Sequence, residues 1–254
     1  MKAFCTMKTN SPVWRNEYEQ GLKEAISFFW STRSDQKRRQ ISKKVADTGS
    51  RSAVTGGRQM NSFADLMLKI TVDAGVPREN IYTDANEIPG YFRPTKRWDF
   101  VVISSSNHLI ACIEFKSQVG SFGNNFNNRV EEALGSSVDL HTVYRENAFG
   151  AQEAPWLGYL MLAERTEGST QKVKVFEPHF KVLKEFQETS YLDRYRILCD
   201  KLIKERHYTS ASLIWTEAGD GQVSYGYVDE ELTFQRFVSS YIGYLLGRTN
   251  REFR

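Results

Sequence analysis

The sequence predicts an α/β fold, a sheet covered by helices, on three observations. Short apolar runs of strand-like, β-branched composition stand between polar turns at Asp99–Ile103, Leu109–Lys116 and Trp156–Leu162. Around them lie stretches whose apolar residues recur at helical spacing. The two kinds follow one another as helix, strand, strand, helix, strand. A chain of 254 residues is long enough to bury a full core, so 1–254 is read as a single domain.

Taken in order, residues 14–30 form the first helix, with Tyr18, Leu22, Ala25, Ile26 and Phe29 as its apolar stripe. Residues 31–61 are expected to be a flexible arm. Ser31–Arg58 is polar and basic, holds Lys37-Arg38-Arg39, and ends in the glycine-rich Thr55-Gly-Gly-Arg58. It is a solvated linker or an arm that contacts phosphates. Ser62–Ala74 is the best-marked helix, opened by a capping-box-like Ser62 and Asp65 and stopped at Gly75. An extended, turn-rich approach runs over Ile81–Arg93, punctuated by Pro89-Gly90 and Arg93-Pro94. The two central strands follow, joined by Ser104–His108, and Gly120–Arg129 is read as a loop because asparagine and glycine supply turns. Residues 130–144 and Tyr191–Lys204 are amphipathic helices, with Trp156–Leu162 a buried strand between them. Ser212–Trp215 and Gln222–Val228 form a hairpin about Gly219-Asp-Gly221, and Thr233–Leu246 closes the chain as a helix. Segment 205–254 is thus an extension of the core that can also line a dimer interface.

Composition narrows the class. Net charge is only +3, from 34 Lys+Arg against 31 Asp+Glu, which does not announce a nucleic-acid partner and is compatible with an enzyme whose basic surface is confined to a cleft. The three cysteines, Cys5, Cys112 and Cys199, are too few and scattered for a disulfide framework or a zinc knuckle, and Cys112 is read as a buried strand residue. His108, His141, His179 and His207 share no metal spacing. No run reaches membrane length and the first residues lack the apolar core of a signal peptide, so the cytoplasm is the expected address and no membrane partner is expected.

The chemistry concentrates between Trp98 and Arg129. Residues two apart in a strand share a face, so Glu114 and Lys116 point together while Ile113 and Phe115 point away. Asp99 heads the neighbouring strand. Two acids and a lysine at adjacent strand ends are what Mg²⁺-assisted attack on a phosphodiester needs: the hard cation takes carboxylate oxygens, and the lysine steers water or offsets charge on the phosphate. Four asparagines and an arginine, Asn124, Asn125, Asn127, Asn128 and Arg129, follow within a few residues; such side chains read adenine and guanine edges or hold their own loop in shape. Arg93, Lys96 and Arg97 precede Asp99, as phosphate clamps or as plain surface charge. Glu131 and Glu132 suit the first turn of the predicted helix, with one of them within reach of the site.

Tyr91-Phe-Arg-Pro-Thr-Lys-Arg-Trp-Asp99, Glu114-Phe-Lys-Ser117 and Ser121-Phe-Gly-Asn-Asn-Phe-Asn-Asn-Arg129 resemble the XhoI family of Type II restriction endonucleases. So do Gly56-Gly-Arg-Gln-Met60 and Ser190-Tyr-Leu-Asp-Arg-Tyr195. The asparagine-rich run is specific, whereas the acid and E-x-K set is shared by a whole nuclease superfamily. The resemblance implies a PD-(D/E)xK restriction-endonuclease-like core, a central mixed β-sheet flanked by helices. It further implies Mg²⁺-dependent cleavage of double-stranded DNA at a short palindrome, typically 5′-CTCGAG, by a homodimer with a cognate DNA methyltransferase. Asp99, Glu114 and Lys116 match the catalytic positions, and Asp99, Glu114 and the Phe115 carbonyl the metal positions. DNA contacts are expected from Arg58, Arg93, Lys96, Gln118, Asn124, Asn125, Asn127, Asn128 and Arg129. A helix before such a core often carries an extra acid, which makes Glu17 and Glu24 candidates.

Two other readings remain open on the sequence. A repair or junction-resolving nuclease would keep the metal site without sequence specificity. A DNA-binding module that has lost catalysis would have no need of the intact Asp99, Glu114 and Lys116.

Overall fold

The structure, a computed structural model, describes residues 13–43, 58–218 and 223–253, without the side chains of 36–43, 58 and 250. Helices α1 (Asn16–Lys43) and α2 (Asn61–Asp73) lead into three short strands, β1 (Ile81–Tyr82), β2 (Glu87–Pro89) and β3 (Thr95–Arg97). The central strands β4 (Phe100–Ile103) and β5 (Leu109–Gln118) then run into α3 (Phe122–Arg145). After β6 (Trp156–Glu164) come the short α4 (Glu167–Thr170), α5 (Tyr191–Lys204), β7 (Ser210–Glu217), β8 (Ser224–Tyr227) and α6 (Phe234–Glu252).

Six strands form one mixed sheet in the order β1-β4-β5-β6-β7-β8, and β2 with β3 makes a separate hairpin. The centre, β5 to β6 to β7, is parallel, while the outer pairs are antiparallel. Parallel neighbours need long crossovers, supplied by α3 between β5 and β6 and by α5 between β6 and β7. This is the α/β architecture the sequence predicts, a mixed sheet flanked by helices and consistent with a restriction-endonuclease-like core.

Strand alternation sorts the core into two layers. Phe100, Val102, Ile113 and Phe115 pack with Leu22 and Phe29 of α1, Phe63 and Ile70 of α2, and Phe237 and Tyr241 of α6. Val101, Cys112, Tyr159 and Met161 pack the other way, with Ala133 and Leu140 of α3 and Leu192, Tyr195 and Cys199 of α5. Covered on both faces, β5 and β6 read as unbroken apolar runs.

Several expectations change. Helix α1 does not stop near residue 30 but continues to Lys43, so residues 31–43 of the expected arm are helical. Residues 58–61 of that arm form a helical turn and the start of α2, while 44–57 lie outside the described residues, as do Cys5 and the Gly219-Asp-Gly221 turn. The flanking strands of that turn do pair, Ile214 with Tyr227 through Glu217 with Ser224. Helix α2 is not capped by Ser62; the helix begins one residue earlier, and the Ser62 hydroxyl donates to the Ala25 carbonyl, tying α2 to α1. Gly75 does end it, at φ +94°, where a side chain would be strained.

The largest correction concerns Gly120–Arg129. Those residues are not a loop: from Phe122 onward they are the opening turns of α3. Phe122 stacks on Tyr191 at 6.1 Å between ring centres, and Phe126 meets Tyr195 edge-on at 5.4 Å. Two anchored aromatics outweigh the weak local preference of asparagine for turns. The C-terminal segment is built into the core, since β7 sits inside the sheet and Phe234, Phe237, Val238, Tyr241 and Leu245 are fully buried.

Candidate active site

The hydrogen-bonded register of β4 and β5 pairs Val101 with Cys112 and Phe100 with Ile113. Carried one residue further, it sets Asp99 across from Glu114. Val101 and Cys112 face the α3 and α5 layer, and alternation turns Asp99, Glu114, Lys116 and Gln118 the same way. Along this half of β5 the apolar row gives way to polar side chains, of which Glu114 and Gln118 are buried.

Asp99 is held by its Oδ2 atom, which accepts the Phe115 N–H at 2.7 Å. Glu114 is buried, 6% exposed, and each of its oxygens meets an ammonium. Oε1 pairs with Lys116, and Oε2 pairs with Lys96 at 3.0 Å. Lys96 also lies over the Trp98 ring, 4.4 Å from its centre. A buried carboxylate bonded on both oxygens to cations meets the requirement that interior charge be paired.

The charges set one another. Enclosure by the surrounding protein, and then repulsion from Glu114, push the Asp99 carboxyl up to about 6, although the residue keeps a solvent-exposed edge. Burial alone would also raise Glu114, but Lys116 and Lys96 outweigh it and hold that carboxyl below the usual range. For Lys116, burial disfavours the ammonium, yet Glu114 and Asp99 prevail and lift it above an ordinary lysine. The site therefore holds an acid that resists ionising beside one that stays ionised, and a lysine that stays protonated.

The other expected residues are placed unevenly. Lys96 joins the acids and is no free surface charge. Arg93 does not: its Nε donates at 2.8 Å to Asp139 of α3, which is buried. Gln118 continues the row and donates to the Gly120 carbonyl at 2.6 Å, while its Oε1 is buried without a partner. Helical rotation of about 100° per residue puts Asn124 and Asn128 on the same side of α3 as Glu132 and Asp139. Both are exposed. Asn125 turns back to the Ser121 carbonyl at 3.0 Å, and Asn127 lines an apolar groove with Phe126, Val130 and Ile197. Arg129 pairs with Glu132 at 2.5 Å, and Glu132 is near enough to add to the field at Lys116. Arg58 opens a one-turn helix, Arg58–Met60, but its side chain is outside the described residues. Glu17 pairs with Arg15 and Lys69, and Glu24 bonds Gln20, so neither is committed to the site.

Sequence reasoning missed two contributors, Asp139 and Gln59, and the partner of a third, Lys96. Lys96 reaches Glu114 across 18 residues, Asp139 reaches the turn before β3 across 46 to 48, and Gln59 donates to Ser117 at the end of β5 while accepting from Arg33. No local pattern marks them, although Gln59 falls inside the Gly56–Met60 stretch.

Residues 39–227 match the family of the restriction endonuclease XhoI. This chain belongs to the XhoI restriction endonuclease family. The matched span covers β4, β5 and α3, and with them every residue of the acid and lysine cluster. Among curated family members, the Type II restriction enzyme BstVI of Geobacillus stearothermophilus is 49% identical over 181 residues, 69% of this chain and 81% of its own. The Type II restriction enzyme XhoI of Xanthomonas vasicola is 41% identical over 191 residues, 74% of this chain and 76% of its own. AbrI of Azospirillum brasilense, also a Type II restriction enzyme, is 42% identical over 168 residues, 65% and 75% of the two chains. No solved structure matches significantly. No helix among the described residues is long and apolar enough to cross a membrane.

Proposed function

We propose that this protein is a Mg²⁺-dependent Type II deoxyribonuclease, a homodimer that cuts double-stranded DNA at a short palindrome and leaves 5′-phosphates. Family membership points to 5′-CTCGAG as that palindrome and to a cognate methyltransferase that protects it. The observation that carries the reading is the meeting of Asp99, at the head of β4, with Glu114 and Lys116 of the paired strand β5.

The donor set fits a hard cation. Among the described residues no group of three or more His, Cys, Asp and Glu side chains is gathered to hold a metal. Two carboxylates and a carbonyl remain, all oxygen donors, and Mg²⁺ is commonly held by one or two carboxylates with phosphate and water completing its shell. A residue's N–H and C=O point to the same edge of a strand, so the Phe115 carbonyl faces the gap that its N–H shares with Asp99. Asp99, Glu114 and that carbonyl would hold the ion. Bound there, Mg²⁺ would polarise the scissile phosphoryl group and favour ionisation of water.

The chain's own residues do the rest. The Phe115 N–H fixes the Asp99 carboxylate. Lys116 stays charged, so it orients the attacking water and offsets charge building on phosphorus; it is not the proton acceptor. Water adds to phosphorus as the bond to the 3′-oxygen breaks; the proton the water gives up to solvent is matched by one the leaving 3′-oxygen takes, so a 3′-hydroxyl and a 5′-phosphate result. Lys96 is placed to turn from Glu114 to a phosphate oxygen when the cation takes its position. Asn124 and Asn128 are the residues we assign to base or backbone contact along α3; Arg58, Gln118, Asn125, Asn127 and Arg129 contribute to binding or to bracing that surface.

Digestion of a mapped plasmid with Mg²⁺, followed by sequencing of the ends, tests the reading. Discrete fragments with 5′-phosphates are expected. A smear, or cutting confined to branched junctions, points to a repair enzyme, and no nicking with any divalent cation points to a module without catalysis.

A further inference from the structure

The turn that joins β2 to β3 is fastened to α3 by a single buried group. Asp139 is 1% exposed, and its Oδ1 accepts the Tyr91 N–H at 2.8 Å and the Phe92 N–H at 2.9 Å. Its Oδ2 takes the Arg93 guanidinium at 2.8 Å. Two amides and a cation satisfy that carboxylate, and such charge-assisted bonds are the stronger kind. Gly90 is required beside them, because a Cβ there would lie 2.8 Å from the Arg93 carbonyl and 2.9 Å from Asp139 Oδ2.

What this anchorage holds out is apolar. Tyr91 is 51% exposed and Phe92 69%, and their rings meet edge to face at 4.9 Å. Single exposed hydrophobics are ordinary, but here two adjacent rings in contact form one apolar patch held beside the site. Phe92 is four residues before Lys96, whose ammonium touches Glu114, so the chain cannot place the two Cα atoms more than about 14 Å apart. A duplex with one strand at Asp99 and Glu114 brings a groove of about 6 to 12 Å to the turn. A second protein copy seated on these rings would have to share that space with the duplex.

We propose that Tyr91 and Phe92 form an aromatic wedge that meets duplex DNA beside the scissile phosphate and partly unstacks one base step, with Asp139 as the positioning residue that keeps the wedge in shape. Inserted apolar side chains kink a duplex in this way, and an aromatic face receives the exposed base. The inference rests on the nuclease reading above and deepens it. It also reassigns Arg93 from phosphate clamp to part of the anchor.

The test uses the full-length protein with Ca²⁺ in place of Mg²⁺ and duplexes spanning the mapped cut, each with 2-aminopurine at one position. Wild type is expected to raise fluorescence several-fold at one step. Phe92→Ala should lose that rise and weaken binding to the cognate duplex about tenfold or more, the size expected for one lost aromatic stack, while binding to an unrelated duplex is unchanged. Phe92→Trp should restore the rise. Asp139→Asn should blunt the rise and raise KM more than it lowers kcat. The wedge is overturned if wild type raises fluorescence at no position while still cutting the site. It is equally overturned if Phe92→Ala binds and unstacks as wild type does, or if it dissociates a dimer in sedimentation with the fluorescence untouched. Failure of wild type to cut any DNA is a separate result, and it removes the nuclease reading itself.

Discussion

The two faces of the central sheet are made from the same strands and do opposite things. On the side of α1, α2 and α6, β5 contributes Ile113 and Phe115 to a layer of apolar side chains. On the side of α3 and α5, the same strand passes from Cys112 to Glu114, Lys116 and Gln118, and β4 brings Asp99 against them. Alternation by one residue is all that separates packing from charge. The difference teaches how a sheet tolerates a buried acid: Glu114 lies inside β5, bonded on both oxygens to lysines, and the opposite face of the strand stays apolar.

Breaking the charged face should cost the most function. Glu114→Ala or Lys116→Ala is expected to lower plasmid cleavage about 10²- to 10³-fold, the loss typical of removing one preorganised charge stabiliser, while specific duplex binding in Ca²⁺ persists. Breaking the apolar face should cost stability instead. Phe237→Ala removes a buried ring packed edge-on against Trp156 at 5.2 Å, and urea denaturation should show a loss of about 3–5 kcal/mol, with kcat of the remaining folded protein unchanged.

A smaller change sharpens the role of Lys96. Lys96→Met frees one oxygen of Glu114, so Mn²⁺ affinity without DNA, read by calorimetry, should rise about tenfold, the ratio that corresponds to 1.4 kcal/mol. Equal affinity in the two proteins would show that Lys96 does not compete with the cation. The smallest effect is on pH. Asp99 must lose its proton to hold a cation, and its carboxyl lies at about 6 in the folded protein. Cleavage should fall about tenfold per unit below 6 and level off above it. Because that value is raised relative to an unfolded aspartate, Asp99 favours the metal-free fold at low pH and loses that contribution as pH rises through 6. Mg²⁺ should therefore raise Tm more at pH 8 than at pH 5.

The site was legible where its chemistry is local. Asp99, Glu114 and Lys116 were placed by strand period and a short turn, and α5 came out at Tyr191–Lys204 because Ser190 and Asp193 cap it reciprocally. The asparagine-rich run misled for the opposite reason. Its local preference is for turns, and only packing of Phe122 and Phe126 on Tyr191 and Tyr195, far along the chain, makes it helix. Arg93 and Lys96 looked alike as neighbouring cations, yet one serves a buried aspartate of α3 and the other the acid of β5.

By itself the sequence determined the alternation of strands and helices, the two acids and the lysine on one face, and the family. The elements and the shared face follow from periodicity and spacing, which act over a few residues; the family follows from the resemblance of the motifs between Tyr91 and Arg129. Tertiary structure decided which cation meets which acid, where α3 begins, and that Tyr91 and Phe92 stand exposed on an anchored turn. Such pairings join residues tens of positions apart, and only the folded chain brings them together.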